Sequence, residues 1–277
     1  MKMRMFMSSA VQIVLCILFI DQSPAQTAVA NVNEPESPRQ RTAADDASSQ
    51  EQLCRKLYWD LGGRTTGAVA EEAEKGLRLA ATGGAAECQY YLGEFLYDKN
   101  QRTEAVGAEY VVRRHIAPAM EWFEKSAAQG YTSAQGRLAA IYRYDLVPPD
   151  VPKAFALTRI VAEKGYAGAQ HILGGMYEKG DGTPRNYKQS AYWYLRAASQ
   201  GHVVAQHDVG RMYYGGLGFP QDKAVAYFWW LIAAGKSPQF AKAVEARDSV
   251  ERELPSTQIL LMQERAASWV AVQEPER

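Results

Sequence analysis

The feature that most limits how this chain can fold is that it repeats itself. Three segments, AQGRLAAIY from Ala134, AQHILGGMY from Ala169 and AQHDVGRMY from Ala205, share Ala-Gln at the start, Leu or Val four residues after the Ala, Gly or Ala at the fifth and Tyr at the eighth. A fourth copy, CQYYLGEFL from Cys88, keeps the Gln, Leu and Gly and ends in Leu96. The spacings are 170 − 135 = 35 and 206 − 170 = 36 residues between successive Gln. A second block recurs in phase: EWFEKSAAQG ends at Gly130, ALTRIVAEKG at Gly165 and YWYLRAASQG at Gly201, and FWWLIAAGKS follows from Phe228. A single unit of this size cannot bury its own apolar face, so a fixed period commits the chain to stacking one unit on the next.

Both blocks have helical spacing. Ala169, Leu173, Met176 and Tyr177 fall at i, i+4, i+7 and i+8, and Trp193, Ala197 and Ala198 form a second apolar stripe. The connecting EKGDGTPRNYK and YGGLGFPQDK are rich in Gly and Pro and read as turns. The fold expected is all-α: an α-solenoid of tandem antiparallel helix-turn-helix repeats. Gly174 and Gly175 inside a helix each cost roughly 1 kcal/mol against alanine, so something must approach them closely. Gly93, Ala139, Gly174 and Gly210 occupy one repeat position, and Ala127, Ala162, Ala197 and Ala233 are expected to supply the other half of a close helix-helix contact.

The paired blocks, in this order and at this period, resemble the Sel-one-like repeat family, a relative of tetratricopeptide repeats. The resemblance covers residues 88–235. Residues 51–87 read as a degenerate N-terminal repeat, and 236–277 as C-terminal capping helices and a tail, the last helix starting after Pro255 with Ser256 or Thr257 as its cap. Exported bacterial members of that family, as the resemblance implies, act as adaptors in envelope assembly, polysaccharide secretion, motility or signalling. The function expected is therefore a non-enzymatic scaffold that binds a protein or an extended peptide. Two alternatives stand beside it. One is a periplasmic regulator that sequesters a membrane receptor. The other is a cell-wall-acting enzyme, because a cysteine-rich secreted branch of the family is associated with penicillin binding; that branch has a cysteine pair in each repeat, which this chain lacks.

One unit departs from the pattern. From Leu96 to Trp122 there are 26 residues, against 16 from Tyr177 to Trp193, which places an insertion near 99–117. It brings Glu104, Glu109, Tyr110, Arg113, Arg114 and His115. Insertions in such stacks fall in loops on one face, often the binding face, although a tolerated loop or a lengthened helix meets the same count. Positions between the packing columns change type from repeat to repeat, as residues facing a partner would: Tyr91, Glu94, Arg137, Arg143, Tyr144, Ile172, Arg211 and Tyr214. Drift at a surface gives the same variation.

No catalytic constellation emerges, and no cofactor or metal is expected. His171 and His207 share a repeat column, which sets them roughly 8 to 10 Å apart, too far for one metal near 2 Å from each. His202 and His207 are five residues apart, not the four that align side chains on a helix. The Gly180-Asp181-Gly182 stretch has neither the alternating carboxylates of a calcium loop nor the Gly-Lys-Ser/Thr ending of a phosphate loop. Trp122, Phe123, Trp193, Tyr194, Trp229 and Trp230 recur at helical spacing and read as packing before they read as a ligand cage. With 31 basic and 31 acidic residues, the chain lacks the excess of Lys and Arg that a nucleic-acid partner calls for.

Residues 1–25 have the layout of a secretory signal peptide: Lys2 and Arg4, an apolar run from Val11 to Ile20, then small residues with cleavage expected after Ala25 or Ala30. An uncleaved anchor is the alternative; with the leader removed, no membrane insertion is expected. A periplasmic or secreted location follows. Residues 26–50 have almost no large apolar side chain and read as a disordered linker. Cys54 and Cys88 can pair in an oxidising compartment or lie apart as small buried residues; sequence separation does not choose.

Overall fold

A computed structural model of the protein describes residues 50–61, 66–102, 116–146 and 148–272. The leader, residues 26–49 of the linker, and the part of the insertion that holds Glu104, Glu109, Tyr110, Arg113, Arg114 and His115 lie outside the described residues. Twelve α-helices and no strand occur among the described residues: α1 (50–60), α2 (Ala68–Thr82), α3 (Ala86–Arg102), α4 (Ala117–Ala128), α5 (Thr132–Ala140), α6 (Val151–Glu163), α7 (Ala167–Lys179), α8 (Tyr187–Ser199), α9 (Val203–Gly215), α10 (Lys223–Lys236), α11 (Ala241–Glu251) and α12 (Ser256–Ala267). A five-residue π turn, Ile141–Asp145, prolongs α5. Odd-numbered helices are the first of each hairpin and even-numbered ones the second. The chain is an all-α solenoid in which each hairpin packs on the next. No described helix is long and apolar enough to cross a membrane.

Local sequence explains where the helices begin. Asp150, Asn186 and Asp222 precede the second helices of three repeats, and their side chains accept hydrogen bonds from the backbone N–H of Lys153, Gln189, and Ala224 with Val225. Each satisfies donors that a helix start leaves unpaired. The second helices then reach the next first helix through Gly165 and Gly201, at φ of 102° and 90°, a region in which a side chain is strained. The last helix differs from expectation: Pro255, not Ser256 or Thr257, takes the cap position of α12, with no side-chain hydrogen bond.

Gly93, Gly174 and Gly210 of the small column face rings rather than alanines. A Cβ added at Gly174 would lie 2.6 Å from Tyr194, one at Gly210 2.5 Å from Trp230, and one at Gly93 2.6 Å from Phe123. In each case the ring comes from the second helix of the same hairpin. This corrects the expected contact: the small column seats an aromatic side chain inside each hairpin. The dispersion gained by a ring packed closely on the helix at a glycine offsets the propensity lost there. Trp193, Tyr194, Trp229 and Trp230 are accordingly buried, as packing residues should be.

The signature Gln is a joint between hairpins. Gln89, Gln135, Gln170 and Gln206 donate from Nε2 to the carbonyls of Ala81, Ala127, Ala162 and Ala198, at 3.1 to 3.3 Å and always eight residues back. Each therefore ties the start of a first helix to the unpaired carbonyl end of the preceding second helix. The same bonds show that Ala127 and Ala162 correspond to Ala198, so the expected alanine column is one residue out of register at Ala197 and Ala233. At the helix ends stand Gln129, Lys164, Gln200 and Lys236 in turn. Gln129 donates to Gln89, and Gln200 to Gln170, completing those joints. Lys164 bonds to the Gly130 carbonyl and Thr132 instead, and Oε1 of both Gln135 and Gln206 is buried without a partner.

Candidate functional site

The side chains singled out by their variation lie mostly along the first helices. Spacings of three and seven residues put Glu94 and Tyr97 of α3, His171 and Glu178 of α7, and Asp208 and Arg211 of α9 on one face of their helices. There ion pairs and hydrogen bonds link neighbouring hairpins. Arg137 of α5 pairs with Glu94, Arg143 with Asp181 at 2.9 Å, Arg211 with Glu178 at 2.7 Å, and His171 with Asp208 at 2.9 Å. Tyr97 donates its hydroxyl to Asp145 at 2.7 Å, and Tyr194 donates to Glu178 at 2.9 Å.

Burial tunes this row. It raises the Glu94 carboxyl above the usual carboxylate range, an effect that Arg137 only partly offsets. Burial, with Asp145 beside it, pushes the Tyr97 phenol up to about 12. Burial alone would raise Asp208 too, but hydrogen bonds from His171 and His207 outweigh it and hold the carboxyl below its ordinary range. The His202 ring stacks on His171, with centroids 4.8 Å apart, and its Nδ1 accepts the Ala205 N–H. Burial first, and His171 second, depress the pKa of His202. No group of three or more His, Cys, Asp or Glu among the described residues is placed to hold a metal ion.

The predicted residues differ in how the structure places them. Tyr144 is 68% exposed and Ile172 43%, and both stand clear of the row. Arg137 lies over the Tyr97 ring at 4.4 Å, and Arg211 is half-exposed; both can be reached from solvent while held by a carboxylate. Tyr214 rests against Trp230 and donates to Glu253. Tyr91 and Glu94, by contrast, are buried, at 8% and 7% exposed. Those two are corrected from surface positions to internal ones: Tyr91 packs between Tyr58 and Tyr90, and Glu94 anchors Arg137. Tyr110, Arg113 and Arg114 lie outside the described residues. Tyr144 lies within the π turn and is exposed there. Cys54 and Cys88 form a disulfide between α1 and α3, with Cα atoms 5.3 Å apart.

Sequence reasoning passed over the partners, Tyr97, Asp145, Glu178, Asp181 and Asp208. The signal was present: Arg143 and Asp181 are 38 residues apart and Arg211 and Glu178 33, each close to one period. Opposite charges one repeat apart on first helices are neighbours in the stack.

The model of the Sel1 repeat family matches residues 115–131, 132–166, 167–202 and 203–237. The last three segments coincide with the hairpins α5–α6, α7–α8 and α9–α10; the first covers only α4. Among solved structures, a protective antigen of uropathogenic Escherichia coli strains that displays an SLR fold is 30% identical, with a TM-score of 0.63 over 84% of this chain and 48% of that one. The chain thus spans about half the length of that relative. A Sel1 repeat protein of Oxalobacter formigenes is 24% identical, with a TM-score of 0.59 over 82% of this chain and 86% of that one. No curated protein matches the chain.

Proposed function

Because the chain belongs to the Sel1 repeat family, whose repeats serve as scaffolds for protein–protein interaction, we propose that it is an exported adaptor that holds a protein or an extended peptide on the face of its first helices and does no chemistry of its own. The observation that carries this reading is the row itself. Its charges are paired from hairpin to hairpin, so its arginines are fixed in place, while Tyr144 and Ile172 project beyond them. A surface with an aromatic and an aliphatic anchor among oriented guanidinium groups is what a few strong contacts need; affinity comes from such anchors rather than from total area.

Export is supported by the leader-like residues 1–25 and by the Cys54–Cys88 disulfide, a bond that persists in oxidising compartments. The Escherichia coli relative is described as a protective antigen, which fits a protein that meets the outside of the cell.

The test is affinity capture from envelope extracts with three baits: the intact protein, one lacking residues 101–114, and one carrying Tyr144→Ala with Ile172→Ser. Loss of the same captured proteins from the double variant supports the reading. Equal recovery by all three baits would overturn it. Stoichiometric covalent labelling of the purified protein by a β-lactam would replace it with the cell-wall enzyme.

A further inference from the structure

Past α12, residues 269–272 continue without helix, and their burial alternates: Trp269 and Ala271 are part-buried, while Val270 is 79% exposed. Such alternation fits an extended segment with one face against the protein. It rests on two second helices, at the C-terminal end of α8 and along the C-terminal half of α10. The Trp269 indole meets Trp229 of α10 edge to face, with centroids 6.2 Å apart, and the Lys236 ammonium lies 4.7 Å over its ring. Ala271 sits against Gly201, its Cβ 3.4 Å from where a Cβ on that glycine would be. The Val272 N–H donates at 2.9 Å to the carbonyl of Ser199, one of those that the end of α8 leaves without a helical partner.

None of these contacts depends on the tail being attached to α12. An aromatic edge and an ammonium read an indole, a bare glycine admits only a small side chain, and a free carbonyl reads any backbone N–H. We propose that the C-terminal parts of α8 and α10 form a second peptide-binding site, separate from the first-helix face, which takes an extended strand bearing a tryptophan and, two residues on, a small side chain. The chain's own C-terminal segment fills this site in cis. The fit is light, with one backbone hydrogen bond and two part-buried side chains, so the segment can be displaced. As a tethered occupant it competes at an effective concentration of about millimolar.

The ten-residue peptide SWVAVQEPER, labelled with a fluorophore, is titrated by anisotropy into the full chain, a chain ending at Ala267, and that shortened chain with Lys236→Glu. The shortened chain should bind saturably and the full chain about tenfold more weakly or worse, because its site is filled. Lys236→Glu should lower affinity about tenfold, since it removes the ammonium over the indole. Absent binding to a shortened chain of unchanged helicity, equal binding to both lengths, or indifference to Lys236→Glu would each overturn the proposal. If shortening unfolds the protein, full-length Trp269→Ala takes its place, because it frees the site without removing the segment. Binding of the peptide there supports the site, and none defeats it.

Discussion

The hairpin α1–α2 and the repeats from α7 to α10 are joined to their neighbours by different means. In α7 to α10 the joint is written into the repeat: a ring seated on Gly174 or Gly210, and a Gln that reaches the preceding helix end. In the hairpin α1–α2, Ala81 still offers its carbonyl to Gln89 and Glu74 pairs with Lys99 of α3, but α1 lacks the signature altogether. There a disulfide from Cys54 to Cys88 and a salt bridge from Arg55 to Glu87 link α1 to α3. Leu53, Trp59, Val69 and Leu79 remain exposed on that hairpin. Where the repeat pattern lapses, a covalent bond takes over its work.

The largest effect should come from breaking that bond. Its loop spans 34 residues, so Cys54→Ala with Cys88→Ala should cost about 2–4 kcal/mol, measured by denaturant unfolding with and without reductant. Hydrogen exchange should speed up in α1 and α2 well before α7 to α10; uniform loss of protection would show that the two regions are not separate. Next, Gly174→Ala drives a Cβ into the Tyr194 ring and should destabilise by about 1–3 kcal/mol. Gly136, also inside a helix but with open space around it, should instead gain about 0.4–1 kcal/mol as alanine. Opposite signs in paired thermal melts are the readout.

Smaller differences distinguish one joint from another. Gln170→Ala removes bonds to both Ala162 and Gln200 and should cost about 2 kcal/mol, whereas Gln135→Ala, whose Oε1 is already unpaired, should cost about 1 kcal/mol less. The smallest effect concerns acid. His202 caps α9 through an unprotonated Nδ1, and its pKa lies below the ordinary 6.5 because of burial and His171, with Asp208 opposing. The unfolded chain binds that proton more readily. Stability is therefore full above pH 6.5 and declines as pH falls through the folded-state value. His202→Asn keeps an acceptor at the cap and should flatten the fall in melting temperature between pH 7 and 5; an unchanged slope would assign it elsewhere.

The period made the paired helices legible, because 3.6-residue spacing and Gly-Pro turns are local properties of a chain. What a glycine faces is not local. Gly174 announced a close approach, but Tyr194 lies 20 residues away on the partner helix, and alanines in the same helix offered an equally small surface. The variable first-helix positions were legible as a set, since each sits between packing columns. Whether one of them is an anchor or a buried support depends on its surroundings: Glu94 is buried against Arg137, and Tyr144 projects from within a π turn. Trp269 falls outside the period, so nothing in the repeat pointed to its seat on Trp229.

The alternation of Gln and Lys at the helix ends makes the solenoid a chain of unequal hinges. Connections built on Gln129–Gln89 and Gln200–Gln170 are fully satisfied, and those at Lys164 and Lys236 leave a buried oxygen bare. Because such a stack is held only by contacts between neighbours, bending or fraying concentrates where a hinge is incomplete. A partner lying along several hairpins would then meet stiff pairs separated by softer creases, and could fit itself to the surface by flexing every second one.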